Sequence, residues 1–308
     1  MTHFCGLELA HPIVNGSGTF DAIAARRAFG DALHEDFPFS AFVSKTITLE
    51  PRAGNPPPRL FETASGMLNS IGLPNKGLER HLAEDLPALA TLPVPLITNV
   101  MGSTADELER LVEAVGARDE VAAIELNVSC PNVKTGLDIG AEPGELARVM
   151  AAVRPRTAKP LIVKLTPNAA DVPAVARAAE AAGADAVSLI NTLRGMAAHP
   201  AGGGPWLGAR TGGLSGPAIR AIALAQVASV ASAVAIDVVG MGGVASGRHA
   251  ADLLDAGAAL VAVGTESFRD PAAGKRISAE LQGLLASRKS LQMTSKRLNQ
   301  PEQASTST

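Results

Sequence analysis

The sequence predicts an α/β protein, specifically a closed (β/α)8 TIM barrel with active-site loop insertions. Three observations carry that expectation. Short apolar, β-rich runs alternate with helical stretches along 308 residues, and such alternation argues for parallel strands joined by crossover helices. The runs number eight, at 13–14, 41–45, 95–99, 122–127, 160–165, 186–190, 235–240 and 259–263. That number favours closure over the rival, a doubly wound open sheet. Aromatic residues make up only 3% and tyrosine is absent. The core must therefore be built from Ala, Val, Leu and Ile, which suits parallel strands buried on both faces.

Each run ends in polar or small residues. The first is followed by Asn15-Gly16-Ser17-Gly18, and the second ends in Lys45-Thr46. The third ends in Asn99, the fourth in Asn127, shortly before Cys130, and the fifth in Lys164. The sixth runs through Ile190 to Asn191-Thr192. The seventh and eighth lead into Gly240-Met241-Gly242-Gly243 and Gly264-Thr265. Between them, 105–115 and 171–182 read as helices, with Gly183 as a C-terminal stop. The apolar stretch 221–236 carries Gln226, Ser229 and Ser232. It falls short of the ~20 apolar residues of a membrane span and reads as a helix running into a strand.

Two connections exceed what a minimal barrel needs. Residues 46–76 are rich in Pro, Gly and Asn, and 192–215 in Gly. Both leave the C-terminal ends of predicted strands, where barrels carry their chemistry, so both are expected to be functional loops. Arg52, Arg59 and Arg194 within them read as solvated residues or loop anchors. Residues 1–286 are expected to form one domain and 287–308 a polar, disordered tail.

The composition excludes several classes. Net charge is −3 with no basic block, so bulk attraction to nucleic acid or to an anionic membrane is not indicated. Two cysteines, Cys5 and Cys130, make no disulfide framework, and a reduced cytoplasmic setting is the default. No signal peptide is read at the N-terminus. Cys5 is expected to be inert.

In a barrel the strand ends face one pocket. This set holds no obvious carboxylate pair and no Cys/His cluster with metal-ligand spacing, so zinc hydrolysis and two-carboxylate glycoside chemistry are poorly supported. It holds carboxamides, two lysines and one thiol. A carboxamide offers donors and an acceptor, which suits a ligand edged with C=O and N–H, such as a pyrimidine or a flavin. The lysines suit an anion. Gly242-Gly243 precede a helix opening at Val244-Ala245-Ser246-Gly247. A turn and helix N-terminus in that place suit a phosphate.

Asn127-Val128-Ser129-Cys130-Pro131-Asn132 resembles the signature of class 1 dihydroorotate dehydrogenases. So do Lys45-Thr46-Ile47-Thr48-Leu49-Glu50-Pro51-Arg52 and Gly66-Met67-Leu68-Asn69-Ser70-Ile71-Gly72-Leu73-Pro74-Asn75. Further likenesses are Val163-Lys164-Leu165-Thr166-Pro167, Gly212-Gly213-Leu214-Ser215-Gly216-Pro217 and Gly240-Met241-Gly242-Gly243-Val244. The wording around Glu62-Thr63-Ala64-Ser65 and Asn191-Thr192-Leu193-Arg194-Gly195-Met196 is most like class 1B, the NAD-linked form.

The resemblance implies an FMN flavoprotein that oxidises (S)-dihydroorotate to orotate in pyrimidine (UMP) biosynthesis. A hydride goes to FMN, and Cys130 takes a proton. Substrate binding falls to Lys45, Asn69, Asn127, Asn132, Asn191 and Thr192, and to the backbone of Ile71, Gly72 and Leu73. FMN falls to Ser17, Lys45, Thr46, Asn99, Asn127, Lys164 and Ile190, with Gly216, Gly242, Gly243, Gly264 and Thr265 around its phosphate. The resemblance further implies a homodimer and a partner subunit carrying FAD and [2Fe-2S] that passes electrons to NAD. Alternatives are the same reaction with fumarate as acceptor, as in class 1A, or a dihydropyrimidine dehydrogenase-like enzyme. No metal is expected on the chain.

Overall fold

The computed structural model describes residues 1–129 and 139–298. β1 (Thr2–Phe4) and β2 (Leu7–Leu9) pair as a hairpin. The barrel strands are β3 (Ile13–Asn15), β4 (Phe42–Val43), β7 (Leu96–Val100), β8 (Val121–Asn127), β9 (Leu161–Lys164), β10 (Ala186–Leu189), β13 (Asp237–Met241) and β14 (Leu260–Val263). They form one parallel sheet in the order β3-β14-β13-β10-β9-β8-β7-β4. β5 (Leu60–Thr63), β6 (Gly66–Asn69), β11 (Leu193–Gly195) and β12 (Gly212–Ser215) form a second, antiparallel sheet, β11-β12-β6-β5.

The seam between β3 and β4 is closed by a side chain rather than a ladder. Asn15 is fully buried. Its Nδ2 donates to Val43 O (2.8 Å) and its Oδ1 accepts from Val43 N–H (2.8 Å). The carboxamide thus does for β4 what a neighbouring peptide group would do, and Ser40 N–H adds a bond to Ile13 O (3.0 Å). Removing it leaves a buried N–H and C=O unpaired, at about 1–3 kcal/mol each. Asn15→Ala is therefore expected to lower stability by ~3 kcal/mol, a fall in Tm of roughly 6–12 °C for a chain of this size. Thermal unfolding checks this; a Tm within about a degree of the parent would show that other contacts hold the seam.

Strand alternation sorts the barrel into two cores. Val14, Val43, Ile97, Ala123, Ile162, Ala186, Val239 and Leu260 pack inside, stoppered at one end by Phe4 and Leu9 of the hairpin. Their neighbours Ile13, Phe42, Ile124, Val163, Val187, Val238 and Val261 face the helices. Ala105–Gly116 shows why the helices form. Thr104 caps it by accepting from Glu107 N–H, and Leu108, Leu111, Val112 and Val115 recur at helical spacing on its buried face. Each such burial is worth about 2 kcal/mol of transfer. Val172–Ala181 is capped by Asp171, and Gly183, at φ +89°, ends its turn as the sequence predicts.

Two features differ from the sequence reading. The second strand is shorter than 41–45, because pairing to β7 is interrupted. Ser44 N–H bonds Ile97 O and Ile47 N–H bonds Asn99 O, and Lys45 and Thr46 lie between those two pairings. The long connections are not structureless. They pair with each other, Gly213 opposite Asn69 and Leu214 opposite Leu68, and carry the second sheet. The helix Ala273–Leu298 continues past the point where the sequence turns polar at Ser287. Among the described residues, no helix is long and apolar enough to cross a membrane.

Candidate active site

The inner face of the barrel becomes polar toward the C-terminal strand ends. Two residues beyond Ile97 on the same face is Asn99; beyond Ala123 are Glu125 and Asn127; beyond Ile162 is Lys164; beyond Ala186 is Ser188. All five are buried. Ladder register sets Asn99 beside Glu125, and Asn127, Lys164 and Ser188 in one row. Asn99 Nδ2 donates to Glu125 Oε1 (2.5 Å), which leaves Asn99 Oδ1 buried without a partner among the described residues. Lys164 is 7% exposed, and among the described residues its ammonium has no hydrogen-bonding or ionic partner. Isolated buried cations are costly.

Asn69 and Asn191 reach the same end from different elements. Asn69, on β6, donates through Nδ2 to Gly213 O (3.3 Å). Asn191 Nδ2 donates to Ser129 Oγ (3.0 Å), while its Oδ1 accepts from Thr192 N–H (2.9 Å). Ser129 N–H in turn donates to Asn127 Oδ1 (3.3 Å). Ser129 thus ties two of the predicted carboxamides together, a role the sequence reading did not assign. Residues 71–73 follow an irregular path against Asn55, whose N–H donates to Ile71 O (3.1 Å). Gly72 has φ +75°, and a Cβ there would lie 2.4 Å from Asn55 N, so only glycine lets this backbone turn back on Asn55. Arg59 anchors the same loop, as expected, donating to Asn55 O and Ala53 O.

Lys45, Ser17 and Thr46 stand on the opposite rim. Ser17 Oγ donates to Ser44 O (2.8 Å) and lies 3.3 Å from Thr46 Oγ1. Thr46 is buried and Lys45 exposed. Crowding at the rim pushes the Lys45 amine below the ordinary lysine pKa, with Asp21 opposing. Because the side chain is open to water, that push gains force only when a ligand covers it.

A small pocket lies between the ends of β12, β13 and β14, lined among others by Gly216, Gly243, Val244 and Thr265. Gly243 has φ +70°, and a Cβ there would come within 2.9 Å of Gly216 O. Thr265 Oγ1 donates to Ser215 Oγ (2.9 Å), fixing one wall. Gly242 and Gly264 flank the pocket in sequence, and Ile190 is held by its N–H to Met241 O (2.9 Å). The helix predicted after Gly243 begins at Gly247 with Ser246 as its cap. Two of its first N–H groups are already committed: Gly247 donates to Glu280 and His249 to Ser246. An anion here therefore falls to the 242–244 turn and Thr265 rather than to the helix end.

Cys130 and Asn132 lie outside the described residues. Cys5 sits at the hairpin turn at the far end of the barrel, its N–H donating to Asp237 (3.1 Å). Burial, with Asp237 and Asp185, pushes its thiol up to about 12, so it stays protonated and unreactive. Glu125 is the second residue that sequence reasoning passed over. Its signal was present: a carboxylate inside an apolar run, two positions before Asn127 and so on the same face. Among the described residues, no group of His, Cys, Asp and Glu could hold a metal ion.

Comparison with known proteins agrees with this geometry. The family model for dihydroorotate dehydrogenase matches residues 1–285. A protein of Geotalea daltonii, named dihydroorotate dehydrogenase B (NAD(+)), catalytic subunit, is 45% identical over 282 residues, 91% of each chain. One of the same name from Trichlorobacter lovleyi is 46% identical over 286 residues, 92% of each chain. Both likenesses span the barrel and its mouth, and the chain belongs to the dihydroorotate dehydrogenase family of oxidoreductases.

Proposed function

We propose that this chain oxidises (S)-dihydroorotate to orotate in pyrimidine biosynthesis, using FMN held at the barrel mouth. Lys164 is the observation that carries the reading. Among the described residues it is a buried ammonium with no hydrogen-bonding or ionic partner, level with Asn127, and a glycine turn lies at the ends of β12 to β14. An anionic ligand edged with carbonyls relieves the cost of that ammonium, and the orphan Asn99 Oδ1 fits a site that a donor-bearing ligand completes. FMN meets both demands and brings a phosphate for the 242–244 turn. When bound, it supplies the hydride acceptor.

The chain's own residues do the rest. Ser17, Thr46, Asn99 and Ile190 line the flavin's place, and Gly216, Gly242, Gly243, Gly264 and Thr265 surround its phosphate. Asn69, Asn127, Asn132 and Asn191, with Thr192, hold the pyrimidine edge, and Ser129 keeps two of them in register. Lys45 and the backbone of residues 71–73 take the substrate carboxylate. Cys130 removes the ring proton. Electrons then pass to NAD through a partner subunit. The relatives are named catalytic subunits, and two cysteines are too few to ligate an iron–sulfur cluster with four thiolates. Residence in the cytoplasm and a homodimer of barrels complete the proposal.

Anaerobic addition of dihydroorotate to the FMN-loaded protein tests it. Rapid bleaching of the flavin absorbance is expected, with release of orotate. A flavin that stays oxidised would overturn the assignment. Lys45→Ala is expected to raise the dihydroorotate KM by roughly 10–100-fold, the cost of one charged hydrogen bond. An unchanged KM would point to an uncharged pyrimidine as substrate instead.

A further inference from the structure

Glu125 is a carboxylate buried inside the barrel, 3% exposed, that the proposed chemistry does not use. It is held at both oxygens. Asn99 Nδ2 donates to Oε1 (2.5 Å) and Ser188 Oγ donates to Oε2 (2.8 Å). The span of these bonds matters. Asn99 is on β7, next to β8, whereas Ser188 is on β10, two strands away on the other side, with β9 between. The side chain therefore reaches across the inner face of β9. Lys164 lies level with Ser188 there, and Glu125 lies level with Ile162, one inward-facing step below. Accepting from donors at both oxygens is the arrangement of an ionised carboxylate. Its bond to Asn99 also fixes which way that carboxamide faces, with Nδ2 downward and Oδ1 left over.

We propose that Glu125 is a positioning residue for the redox step: it orients the Asn99 carboxamide at the flavin, and its negative charge beneath Lys164 sets how far the site favours reduced flavin. The inference rests on the reading of the mouth as an FMN site. The sign follows from electrostatics. Two-electron reduction places negative charge on a flavin, Lys164 favours that charge, and a carboxylate behind Lys164 opposes it. Glu125 therefore holds the flavin potential lower than Lys164 alone would, keeping reduced flavin ready to give up its electrons.

Glu125→Gln keeps the shape and both hydrogen-bonding positions and removes the charge. Reductive titration of the FMN-loaded variant against a reference dye reads the result. The ratio of reduced to oxidised flavin at a fixed dye ratio is expected to rise about tenfold, about 30 mV for a two-electron couple. A midpoint equal to that of the parent, in a variant that binds FMN normally, overturns the proposal and leaves Glu125 as packing. Should E125Q not fold, E125Q/K164M leaves neither buried charge and is compared with K164M alone. The same tenfold rise is expected between those two, and equal midpoints overturn the proposal. A parent protein that binds no FMN in equilibrium dialysis would instead mean that the flavin reading itself had failed.

Discussion

Cys130→Ala is expected to slow flavin reduction by dihydroorotate by roughly 10²–10⁴-fold, the usual loss on removing a general base. Ser129, the residue before it, is fixed by Asn127 and Asn191, two of the carboxamides proposed to hold the substrate ring. To act as the base, Cys130 must be thiolate. Free thiols titrate near ~8.5, so thiolate is the minor form at neutral pH. The reductive rate of the parent enzyme should therefore rise with pH until the thiol is fully ionised. Cys130→Ser, whose hydroxyl ionises far less readily, should keep weak activity with its profile moved to alkaline pH. Stopped-flow reduction across the pH range measures both. A flat profile in the parent, or full activity of the serine variant at neutral pH, would remove Cys130 from the role of base. Cys5 offers no substitute, since it lies at the hairpin end of the barrel with its thiol held protonated.

The barrel was legible in the sequence because its signal is local. Eight apolar runs, the helical stretches 105–115 and 171–182 and the stop at Gly183 depend on neighbours a few residues away. So was most of the mouth, because period-two alternation carries inner apolar positions such as Ile97 and Ile162 directly into Asn99 and Lys164. What stayed hidden depends on distant partners. The second sheet pairs Gly213 with Asn69 across more than a hundred residues, and its strands, of three or four residues, are too short for alternation to be read. Asn15 looked like one more mouth carboxamide, yet it closes the seam to Val43, which no spacing in the chain announces. Glu125 was overlooked for the opposite reason. A single charge inside a hydrophobic strand looks like noise until Asn99 and Ser188 are found on either side of it.

Lys164→Met separates function from stability, because the two are expected to move differently. The ammonium is buried on the inner face of β9 with no partner among the described residues. In the protein without flavin, a methionine of similar length removes a buried ammonium that makes no direct contact among the described residues, while Glu125 below it keeps its own two hydrogen bonds. The Tm of the apoprotein should therefore stay level or rise. In the flavin-loaded protein the same change removes the positive charge that favours reduction. The reductive rate is expected to fall by about 10²–10³-fold, the cost of losing one preorganised electrostatic contact in a water-poor site. The flavin potential should move downward, opposite to Glu125→Gln, because the two buried charges have opposite signs. Thermal unfolding of the apoprotein, stopped-flow reduction and dye titration give the three readings. A large drop in Tm with normal flavin reduction would make Lys164 a structural cation. A slower enzyme with an undiminished apoprotein Tm would show that the buried charge is kept for its ligand rather than for the fold.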